Sequence, residues 1–599
     1  MNLLHFCVAR AILSIAKTMS GPSGANVIDH KPIGIVLCHG LCHWSHMTRS
    51  TAGNRAHPFS PLKEPVFRRI WSASVLGNLG QLILGVGAAW EMTRLTSSAA
   101  MVALVQTAMM LPIMLASVPA GALADMFDRR KVAMSGLGIS ILSASILMVL
   151  AILGLATPWV LLGFCFLIGI GVAVYSPAWS ASINEQVSPK NLPAAVALGT
   201  ISYNVARSFG PALGGVIVLA VGAQAAFGLN AVLYLPLLVA FFFWRREQAP
   251  PRLPPEGIGR AIVSGTRYVF HSPMLKRSLI RVFLFGLTGA TAAALAPLIA
   301  RDLLGGDAAT YGILLGASGA GAVFGALFVS SFRERFGTEL ASRFLMVIGG
   351  AGLVVAGLST SLVVTFIAMF AAGAANILVI ALYNVTIQLS APRWVLARAL
   401  SLFASAMTGG IAFGAWGWGV FANIWSVDLA VIASGCCMAF LPLISILLPL
   451  GQESPENAEA VALDSQPEIG LPLTLRSGPI VIEIDFRVSM DDARDFYNQA
   501  IKLRPLRLRN GGYDWSIARD IADPILWTER YYCPTWADYL RIRDRQTTAD
   551  REAQKIVDQY LIEGTQKVVR RRLDRPFGSV RWRSESLDPK GVDAEFLTP

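Results

Sequence analysis

Charged side chains are scarce in this sequence of 599 residues. They make up 15% of it, whereas hydrophobic residues make up 54%. A water-soluble protein of this length would carry about 25% charged residues. The shortage is confined to residues 66–450, which hold long apolar runs, while residues 451–599 are rich in Arg, Asp and Glu. The composition therefore predicts a membrane region followed by a soluble tail.

Features that would carry other chemistry are missing as well. No histidine falls within an apolar run, and there is no Gly-Lys-Ser/Thr loop of the kind that holds phosphates. The cysteines are too scattered for a disulfide framework. A Cys and His cluster begins at Cys38, but its spacing differs from the Cys-x-x-Cys-His haem signature. We expect no metal, no cofactor and no ATP-driven pump.

Twelve apolar runs recur at regular intervals. Each is near the length of about 20 residues that a helix needs to cross the hydrocarbon core of a bilayer. An even number of spans places both termini on one side of the membrane. The predicted spans are 68–92, 98–124, 132–154, 158–180, 193–220, 223–245, 277–301, 309–331, 341–360, 362–387, 396–421 and 427–450.

Cationic residues fall almost entirely in the loops on one side of these spans, with Arg94 and Arg301 as the exceptions. Positive residues stay on the cytoplasmic side of a membrane. We therefore expect both termini to be cytoplasmic and the protein to lie in the inner (plasma) membrane of a bacterial-type cell. The same loops account for the net charge of +12, so nucleic-acid binding is not expected.

The longest internal loop, residues 246–276, separates six spans from six. Glycines recur across it at an offset of 204 residues, which indicates an internal duplication. The sequence thus predicts two parallel six-helix halves, residues 63–245 and 277–450, joined by a cytoplasmic central loop. The repeated pairs are Gly121 and Gly325, Gly210 and Gly414, and Gly215 and Gly419.

Two motifs in the first half carry a resemblance to a known family. Gly121-Ala-Leu-Ala-Asp125-Met-Phe-Asp128-Arg129-Arg130-Lys131 follows the second span, and Gly210-Pro211-Ala-Leu-Gly214-Gly215 lies in the fifth. The first resembles the Gly-x-Leu-Ala-Asp-Arg-x-Gly-Arg-Lys signature of the major facilitator superfamily, although Met126 and Asp128 depart from it. It is similar to a subgroup that includes the enterobactin exporter of enteric bacteria. The second resembles a Gly-Pro-x-x-Gly-Gly motif of exporters and antiporters.

The resemblance, which covers roughly residues 60–450, implies the major facilitator fold and a transporter that alternates access to a central site. Asp125, at the end of the second helix, can accept hydrogen bonds from a neighbouring helix N-terminus. Arg129 and Arg130 can pair with acids or with lipid phosphates. We expect these contacts to hold one conformational state, the alternative being a solvated turn that only fixes topology.

The motif of the fifth span has a packing consequence. Gly210, Gly214 and Gly215 lack side chains, so helices can approach closely there, and Pro211 bends the span. Ordinary helix packing is the alternative interpretation.

Arg207 falls near the middle of the fifth span. A charge at that depth costs about 2.5–3.5 kcal/mol on insertion scales. We therefore expect Arg207 to face a central cavity, where it contacts either an anionic substrate group or a structural partner. Asn204, one turn earlier, shares its face.

Other polar residues within the spans are candidates for contacts with substrate or protons. Each amide, taken singly, is more often an interhelical hydrogen bond than a ligand. Glu91 and Glu185 are the few carboxylates available for proton coupling. The remaining candidates are Asn78, Gln81, Gln106, Asn376, Asn384 and Gln388.

Both ends of the chain lie outside the membrane region. Residues 1–62 form an extension that we expect to be disordered, and residues 451–477 read as a linker. Strand and helix patterns over residues 478–565 predict a soluble, ferredoxin-like α+β domain, followed by a basic tail over residues 566–599. The domain resembles the small α/β-barrel domains of antibiotic-biosynthesis monooxygenases. It holds no histidine, so a regulatory or dimerising module is preferred to an enzyme.

These observations together predict an all-α membrane protein with a soluble α+β extension, and no enzyme activity. The predicted function is proton-coupled export of a small organic molecule, such as a siderophore or a drug, by a secondary active transporter. Two alternatives remain open. The membrane region is a non-transporting anchor or sensor for the tail, or an exporter is fused to a monooxygenase-like domain.

Overall fold

The computed structural model describes residues 59–188, 190–244, 258–392, 395–450 and 469–574. Within its helices, the side chains of residues 118, 120–126, 184, 193, 258–262, 264, 330 and 397 are outside that description. Most of the N-terminal extension, most of the linker and the end of the basic tail also fall outside it. The expectations for those segments stay predictions.

Among the described residues, twelve helices are long and apolar enough to cross a membrane, which confirms the predicted spans. The first half holds α1 Pro65–Leu95, α2 Ala99–Met126, α3 Arg129–Ile152, α4 Pro158–Gln186, α5 Leu192–Val221 and α6 Ala223–Phe243. An additional helix, α7 Ile258–His271, lies within the central loop. The second half holds α8 Pro273–Leu303, α9 Ala308–Ala326, α10 Val329–Leu358, α11 Leu362–Ser390, α12 Leu396–Ile424 and α13 Val427–Leu447.

Local chemistry sets where several helices begin and end. The Asp128 carboxylate caps α3 by accepting from the Arg130 amide at 3.0 Å. Asp307 and Thr310 form a capping box at the start of α9. Gly222 ends α5 with a φ of 98°, a backbone conformation that few other residues adopt. These short-range signals make the turns between spans tight.

Two of the spanning helices are irregular. The regular part of α8, Pro273–Gly289, is followed by short helical segments and a π-helical turn, Ile299–Leu303. In α10, Gly337 has a φ of 67°, which breaks the helix near its start. The part of α10 that packs within the bundle therefore begins after Gly337.

The two halves have matching internal arrangements. In the first half α1 packs against α5 and α6, and α4 packs against α2 and α3. In the second, α12 packs against α8, while α11 and α13 pack against α10. The halves meet along two helix pairs, α2 with α12 and α5 with α9.

The repeated glycines occupy equivalent places in the two halves. Gly210 faces Leu82 of its own half, and its counterpart Gly414 faces Leu287 of its own half. Gly215 faces Ala308 of the other half, and its counterpart Gly419 faces Ala103 of the other half. The offset in the sequence therefore corresponds to a duplicated packing scheme, in which one glycine of each pair serves the contact between halves.

A small antiparallel sheet follows the membrane region. Its strands are β1 Ile480–Arg487, β2 Tyr513–Arg519, β3 Leu526–Cys533 and β4 Val568–Leu573, in the order β2-β3-β1-β4. Four helices pack on one face: α14 Ala493–Ala500, α15 Leu503–Asn510, α16 Trp536–Asp544 and α17 Thr548–Asp558. This connectivity is the ferredoxin-like arrangement that the sequence predicts.

The fourth strand differs from the sequence-based expectation. From the sequence alone, the run Arg570-Arg571-Arg572 reads as a solvated or lipid-facing patch within the basic tail. Instead it forms the centre of β4, which pairs with β1. Arg570 lies 2.9 Å from Asp485 and Arg572 lies 3.2 Å from Glu483. These acidic residues of β1 offset the positive charge of β4.

Candidate functional site

The contacts between the two halves define a closed end of the bundle. We call the side where α1 begins and α13 ends the termini side, and the opposite side the far side. At the far side, Ser98 donates to the Asn423 side chain at 3.0 Å, and Arg301 donates to the Thr93 carbonyl at 2.9 Å. The halves are thus hydrogen-bonded where α1 and α2 meet α8 and α12.

Aromatic and small residues continue this closure toward the middle of the bundle. The rings of Trp90 and Tyr311 stack with centroids 6.3 Å apart. A Cβ on Gly312 would lie 2.7 Å from the Pro211 carbonyl oxygen and 2.9 Å from the Gly215 Cα. Such a distance is too short for any side chain, so the backbones of α5 and α9 touch. Pro211 and Gly215 of the second motif therefore contact the second half, whereas Gly210 and Gly214 face α1 of their own half.

Arg207 lies on the interior face of α5. A helix turns by about 100° per residue, which places Arg207 between the position of Gly210, facing α1, and that of Gly215, facing α9. Phe209 and Leu213 lie on the opposite side and are 63% and 46% exposed, as lipid-facing residues are. Arg207 is half-buried. Within the part of the chain that the structure describes, no side chain pairs with its guanidinium.

Asn204 shares this interior face, as the spacing predicts. Its amide donates to the Thr200 carbonyl of the preceding turn at 3.0 Å. Toward the termini side, Tyr203 on the same face is 46% exposed. The interior face of α5 is therefore accessible over its termini-side half.

Two of the predicted lining amides join helices instead. Asn78 of α1 donates to the Ser202 hydroxyl of α5 at 3.1 Å. Gln81 accepts from the Tyr234 hydroxyl of α6 at 3.3 Å. Both amides hold α1 against its neighbours in the first half, which is the structural role weighed above.

The other predicted amides differ in their surroundings. Gln106 is half-buried in α2, and no hydrogen-bond partner for it lies among the described residues. The side-chain oxygen of Asn376 in α11 is buried without a partner there. Gln388 donates to Asn384 one turn earlier on the termini-side half of α11. Gln106 and Asn376 keep unused hydrogen-bonding capacity near the middle of the bundle.

The first motif forms a turn on the termini side. Arg129 pairs with Glu185 of α4 at 2.8 Å and donates to the Ala181 carbonyl at 2.6 Å. Arg130 donates to the Phe242 carbonyl of α6 and lies over that ring at 5.6 Å. The two arginines therefore tie α3 to α4 and α6 within the first half. The side chain of Asp125 lies outside the described residues.

Glu91, the other candidate for proton coupling, lies near the far side. It pairs with Arg94 at 3.1 Å, one turn later in α1. Its side chain is largely buried while that of Arg94 is exposed.

A carboxylate cluster in the second half has no counterpart in the sequence analysis. Glu339 of α10 accepts two hydrogen bonds at 2.8 Å from Arg281 of α8, and one at 2.7 Å from Arg343. Arg343 also reaches Ser445 of α13 at 2.8 Å, and Arg281 lies over the Tyr383 ring at 5.6 Å. At the offset of 204 residues Val329 takes the place of Asp125, so the repeat gives no indication of an acid here. Because the break at Gly337 resets the start of α10, Glu339 takes part in a termini-side cluster that the offset could not locate.

Helix α7 connects the halves with the tail domain. It packs against α2, α8 and α12 on one side and against α15 on the other. Arg509 of α15 lies over the Tyr268 ring at 5.3 Å. Arg267 approaches Gly511, and burial lowers the pKa of its guanidinium while Asp538 opposes that shift. The tail domain is therefore docked on the central loop.

The tail domain has a buried ion pair of its own. Arg507 and Glu529 lie 2.9 Å apart, and the Trp515 indole donates to Glu529 at 2.8 Å. Burial raises the pKa of the Cys533 thiol to about 12, so that thiol is not a nucleophile at neutral pH.

Comparisons with known sequences identify related proteins. The sequence profile of a family described as transmembrane secretion effector (MFS_3) matches residues 56–576. The chain is 28% identical over 354 residues to the MFS-type transporter YfiS of Bacillus subtilis, covering 56% of this chain and 82% of that protein. It is 25% identical over 394 residues to the multidrug efflux pump Tap of Mycolicibacterium fortuitum, covering 63% and 94%. A match to the staphyloferrin A transporter of Staphylococcus aureus is 32% identical over 165 residues, and covers 27% of this chain and 42% of that protein.

Solved structures share the fold. The nucleoside transporter NupG superposes with a TM-score of 0.52 at 12% identity, over 64% of this chain and 99% of that chain. A bacterial homologue of the human lysosomal transporter Spinster, in an inward-facing conformation, superposes with a TM-score of 0.51 at 15% identity, over 65% and 96%. The membrane region therefore has the major facilitator fold, as the motifs predict.

Proposed function

Since the chain belongs to the transmembrane secretion effector family of major facilitator transporters, we propose that it exports a small organic molecule by alternating access. The observation that carries this proposal is the far-side closure beside the accessible interior face of α5. A closed far side and an accessible termini side are one end state of such a cycle. Opening the far side would complete the cycle.

The interior cation points to the chemistry of the cargo. Arg207 lies half-buried at mid-membrane depth, and no side chain among the described residues neutralises its charge. An anionic group on the cargo would neutralise the Arg207 guanidinium and offset part of its desolvation cost. The name of the staphyloferrin A transporter denotes a siderophore carrier, and that of Tap denotes a drug pump. An amphipathic, anionic, siderophore-like molecule fits both the arginine and these relatives.

The cationic loops support an orientation. Arg129, Arg130 and Lys131 belong to the termini side, and cations stay on the cytoplasmic side of membranes. We place the protein in a bacterial inner membrane with both termini in the cytoplasm. The accessible state then faces inward, where an exporter loads its cargo.

Protons are the proposed coupling ion for export. Glu185 and Glu339 are carboxylates at the termini side, and each is held by arginine. Protonating either would release its arginine and loosen helix contacts within that half. The coupling is therefore proposed to run through these ion pairs. Glu91 remains a candidate at the far side.

Transport assays test the export proposal. Metabolites in the medium of deletion and overexpression strains identify the cargo, and inside-out vesicles then measure its proton-driven uptake. Arg207→Ala should abolish uptake of an anionic cargo, and Arg207→Lys should restore part of it. Arg333→Ala, which removes an exposed cation of α10, is the matched control. Full uptake by Arg207→Ala would refute the assigned site.

A regulatory role is the second candidate, and it concerns the tail domain. The docking of α15 on α7 favours it, because α7 contacts both α2 and α12, one helix from each half. Any change in the tail would reach the contact between halves through that helix. The outer face of the sheet is covered by ion pairs such as Arg570 with Asp485, so dimerisation through that face would need to bury charge. We propose a module that acts within its own chain.

A further inference from the structure

The tail domain contains a cavity that is partly open to solvent. It lies between the sheet and the helices and has a volume of about 140 Å³. Small domains are normally packed like organic crystals, with few voids larger than a water molecule. An engineered cavity of about 150 Å³ in another protein is large enough to hold benzene. A void of this size in a small domain is a site with room for one ring.

The walls of this cavity divide by chemistry. Its buried lining is mostly apolar, from Ile482 and Ile484 of β1, Leu503 of α15 and Val557 of α17, with Arg507 as a buried cation. Apart from Val569, the lining side chains that reach solvent are polar: Arg543, Gln546, Gln554, Asp558, Lys567 and Arg571. The cavity therefore has an apolar floor and a polar mouth.

Cationic side chains around the cavity differ in how they are balanced. Glu529 offsets the buried Arg507 at 2.9 Å, and Asp558 offsets Lys567 at 2.5 Å. Arg571 instead donates to the neutral Tyr539 hydroxyl at 2.7 Å, which holds its guanidinium at the mouth. The mouth therefore favours an anion at Arg571.

We propose that this cavity binds a small monocarboxylate with a single ring, the ring on the apolar floor and the carboxylate against Arg571. Aromatic binding sites are mostly apolar, with a few placed polar groups that orient the ligand. Leu503 and Arg507 belong to α15, the helix docked on α7, so the cavity and the central loop contact the same helix.

Binding to the full-length protein in detergent tests the proposal. Benzoate is the probe, benzamide its neutral isostere and 2-naphthoate its larger analogue, each measured by calorimetric titration. Benzoate should bind about tenfold more tightly than benzamide, which lacks the charge-assisted hydrogen bond. The two-ring acid should not bind, because it exceeds the cavity.

Variants separate this cavity from other sites. Arg571→Gln should remove the preference for benzoate over benzamide, whereas Arg570→Gln, on the opposite face of the same strand, should keep it. Val569→Phe fills the cavity and should abolish binding of both probes, with an unchanged elution profile as the folding check. Equal affinity for benzoate and benzamide, no benzoate binding at millimolar concentrations, or binding that survives Val569→Phe would each overturn the proposal.

Discussion

The cluster around Glu339 makes a quantitative prediction about stability. Arg281 is 3% exposed and gives Glu339 two hydrogen bonds at 2.8 Å. Replacing Glu339 by Gln leaves that arginine as a buried, uncompensated charge. Breaking a buried pair in this way costs about 3 kcal/mol, the lower end of the usual range, because Glu339 itself is 29% exposed.

Replacing the arginine of this pair should cost less than replacing the glutamate. In Arg281→Gln, Glu339 keeps Arg343 at 2.7 Å and its partial exposure, so we expect a loss of about 1.5 kcal/mol. The double substitution should cost about 3 kcal/mol, less than the two single costs added, since the pair is already gone in either variant.

Unfolding free energies from SDS titration of the purified protein in mixed micelles measure these values. Glu334→Gln, an exposed acid on the same helix, is the control and should stay within about 0.5 kcal/mol of the parent. Strict additivity of Glu339→Gln and Arg281→Gln would refute the reasoning, because it would mean that the two side chains do not interact.

Three further predictions concern other parts of the molecule. Gly312→Ala should abolish transport in vesicles because its Cβ would meet backbone atoms at 2.7 and 2.9 Å, whereas Gly316→Ala, with its nearest neighbour at 3.4 Å, should be tolerated; equal activity would contradict the close contact. Since burial raises the pKa of Cys533 to about 12, its neutral thiol stabilises the fold fully below about pH 8.5 and progressively less as pH rises toward 12; peptide mass spectrometry should find Cys533 alkylated at pH 8 only after unfolding. Tyr268→Ala should speed amide hydrogen exchange in α15 because it removes the contact with Arg509, while Phe270→Ala, at a 57% exposed position of the same helix, should not; unchanged exchange in both would argue against docking.

Periodic features were the ones that the sequence could predict. Apolar runs of membrane length located twelve spans, and alternating residues located β1, because burial acts on every residue of such segments. The offset between glycines such as Gly215 and Gly419 indicated the duplication, since close backbone approach leaves no room for a substitute.

Long-range pairing could not be predicted in the same way. Glu339 and Arg281 lie 58 residues apart, and Glu339 belongs to the part of α10 that begins after the break at Gly337. Asn78 and Gln81 were candidates for lining the cavity, and in the structure they hydrogen-bond to Ser202 and Tyr234 of neighbouring helices. Strand β4 was missed because three consecutive arginines read as a solvated run until the acids of β1 are placed beside them. In each case the deciding partner is remote in sequence.

The shared use of glycines has a consequence for assembly. Gly215 and Gly419 each lend their contact surface to the opposite half, so the two halves recognise each other by shape as two protein subunits do. The covalent link through the central loop is then not what specifies their pairing. Two six-helix polypeptides, produced separately by a break in the region 246–257, should find each other in the membrane and reconstitute the bundle.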